Sequence, residues 1–354
     1  MADFTTSLEQ LRGAASATEA AATTPSRIIS TGPPGNVDIS GVLKRMTIED
    51  RRAAGTRTSL RNTYSGIESS DLVLTNIPVS YQEDGWWLSA DAPSGAAAGA
   101  AVDTTAYTRK FLPVESTTVN TYGTGYRTFN LEYAAQDFAS TLVYKMPAMR
   151  VTHLAFHFNK RASGTDSGVM MDITLTMGQG VATQGTAFTG SLSLTTPTLV
   201  LGHEVVTSVD TSWAGIGGTP DTQITSGTFS LDLPVTYHDG FDGSAQHTSA
   251  HYAQQWVPTW TWQRRFSDLT ELTAYLAKSI RAVQFKATGD LVGAVSAVNT
   301  FQLDGVVSPT DHTITHVDGL VYADLSFEGI YDATLTSNWR VVLTNAVSTS
   351  YVTV

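Results

Sequence analysis

The segment Ile77-Pro78-Val79-Ser80-Tyr81-Gln82-Glu83-Asp84-Gly85 returns later in the chain as Leu233-Pro234-Val235-Thr236-Tyr237-His238-Asp239-Gly240. Other landmarks recur in the same order. Lys110-Phe111-Leu112-Pro113-Val114 is answered by Gln255-Trp256-Val257-Pro258-Thr259, and Asp172-Ile173-Thr174-Leu175 by Asp324-Leu325-Ser326-Phe327. Ordered self-similarity of this kind marks a chain built from copies of one supersecondary unit. Both copies carry period-two apolar patterning, in which alternate residues face opposite sides of a strand. Leu154, Phe156 and Phe158 oppose His153, Ala155 and His157, and a second run follows over 169–177. Val283 with Phe285, then 320–330 and 339–343, repeat the pattern. The expectation is a mainly-β protein with two tandem β-sandwich or barrel units, 66–215 and 216–354, each with one packed α-helix. An N-terminal arm, residues 1–65, precedes them.

Helical spacing places the two helices. Phe138, Leu142 and Met146 recur at i, i+4 and i+8 ahead of Pro147, which ends a helix. In the second half Ser267 can cap a helix with the stripe Leu269, Leu272, Leu276, Ile280 and Val283. Residues 1–36 hold few large apolar side chains and close on Thr31-Gly32-Pro33-Pro34-Gly35, so they read as an arm. Residues 38–52, with Val42, Leu43 and Met46 on one side, read as a short helix. Two inserts, 84–103 and 239–253, read as extended hairpin loops that reach a partner. Trp86 and Trp87 are adjacent, so on a strand one faces the core and the other an interface; the alternative tucks both under the loop.

Charge narrows the function classes. The 354 residues carry a net charge of −11 with only 15% charged residues. Lys44, Arg45, Arg51, Arg52, Arg57 and Arg61 cluster against Glu49 and Asp50, which leaves the rest of the chain strongly acidic. An acidic body repels a nucleic acid backbone and suits a conduit better than a binder. The interleaved basic segment reads as a solvated helix or a docking arm. No apolar run approaches the roughly 18 residues of a membrane span, and the N-terminal stretch lacks the pattern of a secretory signal. With no cysteine, the chain has neither disulfides nor thiolate metal sites.

Motifs for chemistry are sparse. The sequence contains no Walker loop, nucleophile elbow, His-Glu-x-x-His or dinucleotide fingerprint. His153 with His157, and His312 with His316, each share a strand face, but a metal needs a third converging ligand. His238, Asp239 and Asp242 crowd a turn that reads as an Asp-Gly turn before it reads as a Ca²⁺ loop. Trp256, Trp260 and Trp262 fit a sugar groove or a buried stripe equally well. No catalytic, cofactor-binding or metal residue is assigned, and the chain is expected not to be an enzyme.

Val321-Tyr322-Ala323-Asp324-Leu325-Ser326-Phe327-Glu328-Gly329-Ile330-Tyr331-Asp332, set between a helix and a last strand, resembles the closing region of tailed-phage tail tube proteins. The resemblance implies a β-sandwich or barrel with a flanking helix, a long hairpin loop used in ring stacking, terminal arms that contact adjacent rings, and a negative lumen. Two linked copies can replace two subunits of a symmetric assembly. The doubled unit then implies trimeric, pseudo-hexameric rings stacked into the tube of a virion tail, with DNA passing through without sequence-specific binding. Tape measure and tail terminator proteins would be its neighbours. The candidate subunit contacts are Trp86, Trp87, Phe241, Arg51, Arg52 and Arg57. Residues 1–65 and 178–225 exceed a minimal tube unit. Other readings are a carbohydrate-binding tail fibre or adhesion protein, a capsid or decoration protein and, lower, a glycosidase.

Overall fold

A computed structural model describes residues 8–16, 25–29, 37–40, 44–50, 62–69, 71–89, 99–113, 128–137, 140–159, 168–177, 183–185, 187–189, 192, 197–238, 249–252, 258–292, 297–349 and 351. The chain is mainly β. Its first half contains β1 (Leu8–Ser16), β2 (Arg27–Ile29), β3 (Val37–Asp38), β4 (Lys44–Asp50), β5 (Asn62–Ser69), β6 (Asp71–Pro78), α1 (Asp84–Leu88), β7 (Ala100–Ala101), β8 (Tyr107–Phe111), β9 (Thr128–Asp137), β10 (Ser140–Asn159), β11 (Val169–Met177), β12 (Thr183–Gly185) and β13 (Val205–Asp210). Then follow β14 (Ile224–Asp232), β15 (Val235–His238), β16 (Ser249–Tyr252), β17 (Pro258–Arg265), α2 (Thr270–Leu276), β18 (Arg281–Leu291), β19 (Val298–Val317), β20 (Leu320–Gly329) and β21 (Trp339–Asn345).

Two long strands organise the architecture because each belongs to two sheets. The first half of β10 pairs with β9 and β12, and its second half with β11 and β14. The first half of β19 pairs with β18 and β21, and its second half with β20. A first sheet therefore runs β3-β6-β11-β10-β14-β17-β20-β19, a second β13-β18-β19-β21-β8-β7, and a third β2-β1-β9-β10-β12. Proline marks both turns from one sheet to the next. β10 slips register against β9 between Met146 and Met149, around Pro147 and the positive-φ residue Ala148, and β19 slips against β20 between Pro309 and Asp311. Proline cannot donate to a ladder, so a bulge is where a strand tolerates it.

The first and second sheets close over an aromatic core. Phe156 of β10 lies 5.2 Å from Phe301 of β19, Phe158 stacks on Phe285 of β18 at 4.7 Å, and Phe229 of β14 meets Trp260 of β17 at 4.8 Å. Gly305 makes room for this packing, since a Cβ there would sit 2.5 Å from the Trp260 ring. The third sheet joins the same cluster through Phe129, Leu131 and Leu11.

Several expectations change. Residues 140–146 are the start of β10, not a helix, because a spacing of four is also a multiple of two and aligns side chains on one face of a strand; Phe138 lies outside the described residues. Residues 44–50 form β4, paired with β5, where a helix was expected over 38–52. The arm contains β1, which pairs along its whole length with β9, and β2 beside it. Its small residues are there for packing: a Cβ on Gly13 would sit 2.5 Å from the Trp86 ring. The insert 84–103 begins with α1, whereas the insert 239–253 is bracketed by a β15–β16 hairpin.

The repeated motifs occupy different places. β6 and β11 are direct neighbours, but their counterparts β14 and β20 are separated by β17. Pairings such as β10 with β14 and β8 with β21 cross residue 215, and one hydrophobic cluster draws on both halves.

Candidate assembly surface

The expected contact residues divide into two groups. Trp86 and Trp87 are both buried in α1, 4.5 Å apart, and both pack on Phe129, at 4.4 and 5.2 Å. Neither reaches the surface, because the segment turns as a helix; both rings pack on Phe129, and the Trp86 ring fills the space that Gly13 leaves open. Phe241, Arg51, Arg52 and Arg57 lie outside the described residues, as do Trp256, Asp239 and Asp242. Trp260 and Trp262 are core residues, and Trp262 stacks on Phe327 at 3.8 Å.

Strand register defines the outward face of the first sheet. One row runs His157, Thr228, Thr261, Ser326 and Asp311; the next runs Asn159, Ser226, Gln263, Asp324 and Thr313. Hydroxyls and carboxylates dominate because the alternate positions hold the aromatic core. His153 Nδ1 lies 2.7 Å from Asp232, and His157 Nε2 lies 2.9 Å from Asp172, so each histidine meets a carboxylate of a neighbouring strand. Among the described residues no group of three or more metal-ligating side chains could hold a metal ion. His312 and His316 sit on the opposite face, level with Leu325 and Val321.

The second half of β19, Asp311–Val317, forms one margin of this sheet. Among the described strands it pairs only with β20. The two are joined through Asp318 and Gly319, both at positive φ, as a two-residue hairpin turn requires. α2 lies beside the strand, with Tyr275 5.8 Å from His312. Asp268, rather than Ser267, accepts the Thr270 N–H at 2.9 Å.

The expected stripe divides: Leu269, Leu276 and Ile280, at the two ends of α2 and just beyond it, are 62%, 74% and 52% exposed, Leu272 is half-buried and Val283 is buried in β18, while the helix buries Glu271 and Ala274. The cause is Arg264, held at 3.1 Å by Asp221 and placed 3.8 Å from Glu271. Drawing Glu271 inward turns the leucines to solvent. Ile314, 47% exposed, adds to the apolar surface of this region.

α1 carries a strongly perturbed carboxyl. Asp84 is buried and accepts the Ser80 N–H. Desolvation pushes its pKa well above the usual carboxylate range, the neighbouring Glu83 adds to the rise, and the Ser80 hydrogen bond opposes it. The native state therefore keeps a proton that the unfolded chain has already lost. The stability linked to this proton is complete below the unfolded pKa, about 3.9, and is lost as pH rises through the folded value. Asp84→Asn, whose amide oxygen can still accept from Ser80, is expected to be more stable than wild type in urea unfolding at pH 7. The difference should vanish below about pH 4; equal stability at both pH values would refute this account.

A cavity of about 300 Å³ opens between β13 and β14, floored by Phe158 and Phe285 and rimmed by Thr207, Thr222 and Ser226. Its one ionisable lining residue, Asp221, is the partner of Arg264. No helix among the described residues is long and apolar enough to cross a membrane. No protein-family model matches the chain, and no curated protein matches its sequence.

Proposed function

We propose that the chain is a structural subunit that polymerises with copies of itself, and that its assembled form is the tube of a phage tail. The observation that carries self-assembly is the sheet margin Asp311–Val317, which contains neither Lys nor Pro and lies beside the outward-facing apolar side chains of α2. Soluble proteins blunt such margins with lysine, proline or a cover, since open edges recruit further strands. The tube form rests on the resemblance of residues 321–332. It is supported by Asp172, Asp232, Asp311, Asp324 and Glu328 on the outward face of the first sheet, because carboxylates along a channel would repel DNA phosphates during passage.

One observation favours a second form, a closed capsid or decoration shell. The two halves share a single core, which makes the chain one building block rather than two linked ring subunits. Negative-stain electron microscopy at high concentration, with mass photometry on dilution, tests both. Stacked rings with a central hole are the expected result, and closed shells would select the second form. A chain that stays monomeric at every concentration would remove both and direct attention to glycan binding.

A further inference from the structure

We infer that Asp311–Val317 pairs antiparallel with the same strand of a second copy, about a two-fold axis at Ile314, with the two α2 helices flanking the junction. The inference rests on the self-assembly reading and names its contact. Among the described strands this stretch of β19 pairs with β20 on one side only, and five of its seven residues are exposed. The occupant follows from the sequence of the strand itself. In this register Ile314 faces Ile314, Thr313 faces Thr315, and His312 faces His316 of the second copy. Aliphatic and Thr–Thr cross-strand pairs are favourable, and no like-charged Asp pair is opposed.

A further feature agrees. α2 lies against β19, so the two-fold brings the exposed Leu276 and Ile280 of each copy alongside the new strand pair. Burying that apolar surface adds to what the backbone ladder supplies.

An isologous contact closes on itself. Any stacking of rings would therefore use other surfaces.

The absence of cysteine makes the test clean. Directly opposed residues of an antiparallel pair have Cα atoms about 4.5–5.5 Å apart, within disulfide range. Under mild oxidation Ile314→Cys is expected to give a covalent dimer much faster than Val206→Cys, a control at an exposed position on β13. Ile314→Lys, at a position that is already half-exposed, should leave the circular dichroism spectrum unchanged. It should weaken dimerisation at least about tenfold, because like charges directly opposed across the strands repel. Cross-linking of Ile314→Cys no faster than the control overturns the contact. Assemblies that persist unchanged in Ile314→Lys also overturn it, while leaving self-assembly standing. A wild-type chain that never associates overturns both.

Discussion

Trp86→Ala is expected to destabilise the chain by about 3–5 kcal/mol, as for other fully buried large aromatics, and to leave the sheet margin at Ile314 untouched. Trp86 is 1% exposed and sits between Trp87 and Phe129, with Gly13 beneath its six-membered ring. Truncation empties a space that α1, β1 and β9 jointly enclose. The glycine supplies an internal check. Gly13→Ala alone introduces a methyl 2.5 Å from the ring and should cost about 1–3 kcal/mol by overpacking. In the Trp86→Ala background the same methyl enters the vacated space, so the two changes should couple by about 0.5–3 kcal/mol in a double-mutant cycle. Additive effects in urea unfolding would place the indole elsewhere. If Trp86→Ala instead abolished association while leaving stability within about 1 kcal/mol of wild type, Trp86 would be an interface residue as the sequence suggests.

The sequence shows strands best where the core is made of large side chains. The alternation at 153–158, 169–177, 320–330 and 339–343 corresponds to β10, β11, β20 and β21, because burying one face demands an apolar residue at every second position. β1 is invisible to that reading. Its inward residues include Gly13 and Ala15, and the volume is supplied by Trp86 from another element. The first half of β10 is ambiguous because four-residue spacing suits both helix and strand. The face of α2 cannot be read from its leucines, since Arg264 and Asp221, distant in sequence, decide which side turns inward. The β19–β20 hairpin did leave a signal: Asp318-Gly319 between two alternating runs is a strong short-range hairpin mark. That no other described strand pairs with Asp311–Val317 is a property of tertiary strand order, which no local pattern carries.

Arg340→Ala should cost about 3–5 kcal/mol, the penalty of leaving a buried charge without its partner. Asp304 is 0% exposed, and it is the direct cross-strand neighbour of Gln284 on one side and Arg340 on the other. It accepts from Gln284 Nε2 at 2.9 Å, from Gln302 Nε2 at 2.9 and 3.0 Å, and from Arg340 Nε and Nη2 at 3.0 and 2.6 Å. Two neutral amides can solvate part of the charge but cannot neutralise it. The Trp213 ring lies 5.4 Å from the guanidinium. Arg340→Lys should recover only part of the loss, because an ammonium offers one point of contact where the guanidinium offers two. Replacing both residues by apolar ones of similar volume, Asp304→Leu with Arg340→Met, should return stability to within about 2 kcal/mol of wild type, since the double change removes the desolvated charges together. Urea midpoints with an unchanged slope would report these effects as stability rather than altered compactness. An Arg340→Ala variant within about 1 kcal/mol of wild type would mean that the amides of Gln284 and Gln302 suffice to hold the carboxylate.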